Sequence, residues 1–432
     1  MKSEVMYSVV GQGLRREWQA RARALIPNGT QTLSKCPERY VEGVYPTFLA
    51  KADGFTVTDI DGNDYTDFIC ALGAVSVGYN NRHVNAMVKA VITDGAGLMS
   101  LPSRLEVTLS EVLSNNIPCA KKVKLFKTGS EAMSAAVRVA RAFTGKDKVA
   151  VCGYHGWHDW YTASTPRALG IPASTGDNVV RFKYNDPESL RQLFIKDDIA
   201  AVILEPLIYE EPKDGFLETA LKLAHEHSAL LVFDEIVTGY RFGLGGAMSR
   251  FGVVPDLACF SKAMGNGFPI AALVGFPDPM NVYERPEFFV SGTYGSDGVG
   301  IAAALAVTES LKWNDETQLR RIWANGKLLR DGFNDLCNLL GIQEVSCVGQ
   351  PPRTMFQFPT LAHKALFWQE CVRQHVLFGY ANFISAAHTA SCIESTLGVC
   401  EVAMRVVKEH WDDPGAQLEG KLPQEVFPQK QP

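Results

Sequence analysis

Two segments of the chain combine residue types that can do chemistry together. Leu230-Leu-Val-Phe runs straight into two carboxylates, Asp234 and Glu235. A carboxylate at the end of an apolar strand is costly unless a cation or strong donor faces it. Alone, the pair could simply cap the next loop. The second segment is Leu257-Ala-Cys-Phe260, leading into Ser261-Lys262-Ala-Met-Gly265-Asn-Gly267. A lysine just past an apolar strand is expected to be desolvated, which lowers its pKa and frees it as a Schiff-base nucleophile. Asp234 and Lys262 lie 28 positions apart, so one crossover can bring them to neighbouring strand ends.

That combination suits pyridoxal 5'-phosphate (PLP). An anion beside the pyridine nitrogen keeps the ring protonated, and a lysine tethers the aldehyde and shuttles protons. The phosphate needs donors, and Gly129-Ser130-Glu131-Ala132 opens a helix directly after the strand expected to end at Phe126. Gly129 permits close backbone approach, and Ser130 adds a hydroxyl at the positive end of the helix dipole. Gly153-Tyr154-His155-Gly156-Trp157-His158-Asp159 follows another strand and offers Tyr154 as a ring to cover a flat cofactor. A metal site from His155, His158 and Asp159 competes with that reading, but no further ligand cluster accompanies them in the sequence.

The elements that must position these residues read as an α/β chain. Apolar runs at 122–126, 148–152, 199–204, 230–233, 257–260 and 271–274 alternate with helical spacing at 130–144, 187–194 and 216–227. Strands apolar on both faces imply a mostly parallel sheet covered by helices, with ligands beyond the strands' carboxyl ends. Asp61-Gly62 between two short β-rich runs predicts a hairpin. We expect residues 1–70 and 305–432 to form a smaller domain around a large domain at 71–304. The chain carries 42 basic and 47 acidic residues, which disfavours nucleic acid or anionic membrane as partner and leaves small-molecule substrates. No apolar run spans a bilayer, Met1–Gly13 lacks an export signal, and the ten cysteines contain no C-x-x-C pair. The expected location is the cytoplasm. The tail from Asp412 to Pro432 is expected to fray.

In order, Thr128-Gly-Ser-Glu-Ala132, Tyr154-His-Gly-Trp-His-Asp159, Leu204-Glu-Pro206, Asp234-Glu-Ile-Val-Thr-Gly-Tyr-Arg241, Ser261-Lys-Ala-Met-Gly265, Gly292-Thr293 and Ser385-Ala-Ala-His-Thr389 resemble the class III aminotransferases. Within them the chain is similar to the branch containing glutamate-1-semialdehyde 2,1-aminomutase, from about Ile26 to Glu409. The resemblance implies a fold-type I PLP enzyme with a seven-stranded, mainly parallel sheet in its large domain. It also implies a smaller α+β domain from both chain ends, and a homodimer with shared active sites. By the same resemblance Lys262 carries the cofactor, Asp234 pairs with the pyridinium, and Tyr154 and Ile236 sandwich the ring beside His155. Gly129 and Ser130 hold the phosphate, Gly292 and Thr293 reach it from the neighbouring subunit, and Glu210 falls near the ring oxygen.

Three departures bear on substrate. Lys35 stands where the aminomutase has an arginine, and lysine cannot reproduce a two-pronged carboxylate grip. Tyr380 stands where the aminomutase has a glutamate, and the segment 157–183 is shorter than its gating loop. A shorter lid favours release of the intermediate and two-substrate transamination. Arg241 could contact an anionic substrate or form a structural salt bridge. The expected activity is therefore amino-group transfer between a donor amine and a carbonyl acceptor, with an aminomutase or epimerase as the alternative. A non-catalytic scaffold would require loss of Lys262, Asp234 or the phosphate loop. A dinucleotide-binding dehydrogenase would require a G-x-G-x-x-G turn after the early strands, and none is present.

Overall fold

The computed structural model describes residues 14–424. The export-signal reading of Met1–Gly13 and the last part of the tail, from residue 425, lie outside the described residues. The described residues form two compact units, one of residues 73–76 and 82–319, the other of residues 14–72, 77–81 and 320–424.

The larger unit is built on a seven-stranded sheet. Its spatial order is Lys122–Phe126, Ala271–Gly275, Leu257–Phe260, Leu230–Asp234, Ile199–Leu204, Lys148–Cys152 and Val179–Arg181. Only Ala271–Gly275 runs antiparallel to its neighbours, and the remaining pairs are parallel. The central strands are buried along their whole length, as their unbroken apolar runs require. Val179–Arg181, a short edge strand, carries too little apolar pattern to be foreseen. The helix Gly129–Thr144 packs Ala132, Met133, Ala136, Val139 and Ala140 onto the sheet. Its alanines let the helix lie close, so its first turn is held rigidly beyond the strand ends.

The smaller unit contains the expected hairpin, with Thr56–Asp59 antiparallel to Asp64–Asp67. Leu49–Asp53 and Val376–Leu377 extend it to four strands, and a three-stranded sheet uses 346–350, 353–357 and 382–383. Its core is aromatic, with Phe68, Phe333, Phe356, Phe367 and Phe378 in mutual contact. The amphipathic segment near the C-terminus is the helix Ala390–Glu409, capped by Thr389. A cavity of about 540 Å³ within this unit is lined by Lys35, Tyr40, Tyr45, Phe48, Asp67 and Tyr79, among others. Asp67 is satisfied there by Tyr79 Oη (2.6 Å) and by the amides of Ile69 and Cys70.

Candidate active site

Register brings the two residues singled out first to adjacent strand ends. In the parallel pair of strands, Asp234 lies opposite Cys259, and Lys262 comes three residues later. The Glu235 amide donates to the Cys259 carbonyl (2.9 Å), which ties the two ends together as the strands stop. Lys262 opens a short 3-10 turn, Lys262–Gly265, with its backbone in the left-handed region at φ +45°. A non-glycine residue adopts that conformation only when its surroundings enforce it.

Asp234 is buried and engaged on both oxygens. Its Oδ1 accepts from the Ile236 amide (3.1 Å), and its Oδ2 lies 2.8 Å from Nδ1 of His155. The His155 ring is fully enclosed, and its other nitrogen, Nε2, meets the Cys152 carbonyl at 3.1 Å. A carbonyl oxygen only accepts, so Nε2 is the donor there, and Nδ1 faces the Asp234 carboxylate. Trp160 stacks on the imidazole at 13° and Tyr161 meets it edge-on, fixing the ring's plane.

Around this pair the backbone is shaped by glycines at the few places where approach demands them. A Cβ on Gly129 would sit 2.5 Å from Cδ1 of Ile236, so Ile236 occupies the space a side chain would take. Gly156, at φ +96°, lies against Ser130, whose Oγ accepts from the Trp157 amide (3.4 Å). Tyr154 is half exposed, and its amide is pinned by Glu205 Oε1 at 3.0 Å. Burial, followed by the charges of Asp234 and Glu205, pushes the Tyr154 phenol up from its ordinary value. Thr128 and Glu131 form a capping box at the helix start, using the Thr128 and Glu131 amides. The amides of Gly129 and Ser130 have no acceptor among the described residues. They stand at the positive end of a 16-residue helix.

A half-buried lysine beside a buried carboxylate, an exposed phenol ring and two unclaimed amides at a helix N-terminus fit PLP: base, anion, stacking surface and phosphate donors are all present. The sequence model of the family described as Aminotransferase class-III matches residues 39–354. The chain belongs to the class III aminotransferases. It is a PLP-dependent aminotransferase, transferring an amino group between a donor amine and a carbonyl acceptor. It is 40% identical over 299 residues to a 3-aminobutyryl-CoA aminotransferase of Cloacimonas acidaminovorans, covering 67% of this chain and 71% of that protein. It is 33% identical over 428 residues to a glutamate-1-semialdehyde 2,1-aminomutase of Methanothrix thermoacetophila, covering 92% and 98%. Among solved structures it is similar to the PLP internal aldimine form of the Sphingopyxis sp. MTA144 FumI protein. There the TM-score is 0.85 at 28% identity, over 92% of this chain and 97% of that one.

The remaining residues of this class III aminotransferase divide clearly. Gly292 and Thr293 are exposed in the loop before the helix that starts at Gly298. Glu210 is not drawn to Asp234 and Lys262, because its carboxylate is exposed and pairs with Lys213 at 2.9 Å. The carboxylate that does reach the cluster is Glu205, in the Leu204-Glu-Pro206 motif, buried behind Tyr154. Its place directly after a fully apolar strand was the available signal. The reading of Arg241 as a substrate contact is corrected. It is fully buried, and its Nη2 donates to the carbonyls of Gly73 and Val75, each at 2.9 Å. Lys35 and Tyr380 belong to the smaller unit. Lys35 is exposed in the turn Leu33–Lys35, and Tyr380 packs edge-on against Trp368 at 5.1 Å. Glu235, beside Asp234, is taken by Thr238 Oγ1 and by the amides of Ala247 (2.8 Å) and Met248 (2.7 Å). Burial raises its carboxyl to about 7.

Proposed function

We propose that Lys262 is the residue that holds PLP and that Asp234 faces its pyridine nitrogen, in a two-substrate transamination. The observation that carries this reading is the register of Asp234 opposite Cys259, three residues short of Lys262. Bound PLP supplies an electron sink for the pair released at the substrate carbon. Asp234 keeps the ring's nitrogen protonated, and His155 holds Asp234 in line. Tyr154 covers one face and Ile236 the other. The amides of Gly129 and Ser130, with the Ser130 hydroxyl, bind the phosphate at the helix N-terminus. Lys262 Nζ, freed when the donor amine arrives, would be the base that takes the proton from the substrate carbon and redelivers it.

The protein acts as a homodimer in which Gly292 and Thr293 reach the phosphate of the partner subunit's site. Exposed Leu101, Phe289 and Tyr294 on the larger unit support a buried face there. It works in the cytoplasm, supported by ten free cysteines, nine of them buried. The substrate is an amine or amino acid whose carboxylate, where it has one, is not gripped in a two-pronged way by Lys35. Isomerisation within one substrate is the second reading, favoured by the aminomutase relative that matches nearly the whole chain. A panel of donors with the holoenzyme separates them. Transamination converts the visible cofactor band to the amine form and yields a keto product. Solvent hydrogen exchange at the substrate carbon without net amine loss would overturn it in favour of isomerisation.

A further inference from the structure

The strained backbone at Lys262 needs an anchor outside its own turn. The turn closes on itself through Met264 N to Ser261 O (3.0 Å) and Asn266 N to Ala263 O (3.3 Å). Those bonds shape the turn but do not fix where it sits relative to Asp234. A second set does. The Ser76 amide donates to Asn266 Oδ1 (2.9 Å), and the Ser76 hydroxyl donates to the Ala263 carbonyl (3.3 Å). Ser76 is fully buried, and residues 73–76 belong to the larger unit.

Residues 74–76 have no helix or strand of their own to hold them. Arg241 supplies the hold, since its guanidinium bridges the carbonyls of Gly73 and Val75 at 2.9 Å each. Arg241 is in turn fixed to the strand that ends at Asp234. Its amide donates to Thr238 O (3.2 Å), and the Gly239 amide donates to Glu235 O (2.7 Å). A continuous line of hydrogen bonds therefore runs from Asp234's strand through Arg241, residues 73–76 and Asn266 to the turn that carries Lys262.

We infer that Arg241 and Asn266 are positioning residues that hold the Lys262 turn in its left-handed conformation and in register with Asp234, by clamping residues 73–76 between them. Neither touches reacting atoms. The inference rests on the reading of Lys262 as the cofactor's lysine only for its catalytic consequence. The clamp itself is a property of the protein without cofactor.

Both bonds leave one nitrogen, Nη2, at the end of the long arginine side chain, and a lysine ammonium ends one atom short of that point. Asn266, at φ +46°, supplies an acceptor from a conformation that suits asparagine and glycine. The test uses Arg241→Lys, Asn266→Gly and Asn266→Asp in the full chain. Amide exchange of the peptide spanning 261–268 is followed in cofactor-free protein, and kcat and donor KM are measured with saturating PLP. Loss of one net hydrogen bond should speed exchange in that peptide about tenfold. The clamp predicts this for Arg241→Lys and Asn266→Gly, with parent-like exchange for Asn266→Asp, which keeps the acceptor. It also predicts a kcat lowered about tenfold with donor KM little changed. Parent-like exchange and kcat in folded Asn266→Gly would overturn the inference, even if Arg241→Lys failed to fold. Faster exchange with an unchanged kcat would overturn the link to Lys262 while leaving the clamp standing.

Discussion

Replacing His155 is the sharpest probe of how Asp234 is kept in place. His155→Leu fills similar volume but removes the 2.8 Å bond to Asp234 Oδ2 and leaves the Cys152 carbonyl without its Nε2 donor. Asp234 then retains the Ile236 amide on Oδ1. A charge-assisted hydrogen bond contributes about 1.5–3 kcal/mol. At about 1.4 kcal/mol per factor of ten, loss of that orientation should weaken PLP binding about 10- to 100-fold. His155→Asn places an amide donor where Nδ1 was and should recover most of the deficit. The assay is titration of cofactor-free protein with PLP, followed by its visible absorption, with circular dichroism to confirm the fold. A folded His155→Leu variant binding PLP within twofold of the parent would refute the reasoning.

Other outcomes follow from the same geometry. Gly156→Ala places a Cβ against Ser130 at a positive φ and should weaken PLP binding about 5- to 150-fold, by about 1–3 kcal/mol. Titration with PLP checks it, with free inorganic phosphate as competitor. Glu235 has a native pKa raised to about 7 by burial, above its ordinary 4.5. The native state thus binds the extra proton more readily, so this group's stabilisation is full below about pH 4.5 and is lost as pH rises through 7. Thermal melts of the parent should therefore lose stability relative to Glu235→Gln between pH 5 and 7, and parallel melts across that range would contradict this. Light scattering should give twice the chain mass of 47.4 kDa, and mixing a Lys262→Ala protein with a Thr293→Ala protein should restore activity to a fraction of dimers. A mass of one chain, or no restoration, would remove the shared site.

Much of the site was legible because its chemistry is written at strand ends. Apolar runs buried on both faces are hard to mistake, so sequence alone places the residue after each run, Asp234, Ser261-Lys262 or Gly153-Tyr154, beyond the carboxyl ends of the strands. The short edge strand Val179–Arg181 has no such run and carries no comparable signal. Glu210 and Arg241 turn toward partners that the sequence does not announce, for a common reason. Sequence position says that a charged residue is near a motif, but which way its side chain turns depends on tertiary partners far along the chain. Lys213 draws Glu210 outward, while carbonyls more than 160 positions away draw Arg241 inward. The Glu205 contact with the Tyr154 amide is likewise a cross-strand meeting, set by the pairing of Cys152 with Leu204. The left-handed backbone at Lys262 carries no sequence signature at all, since lysine has no preference for it.

The central claim is that Lys262 is the amine that binds PLP. Borohydride reduction of the holoenzyme, followed by digestion and mass spectrometry, tests it directly. The account predicts one reduced pyridoxyl group per chain, on the peptide containing Lys262. A stoichiometric adduct on any other lysine would contradict it.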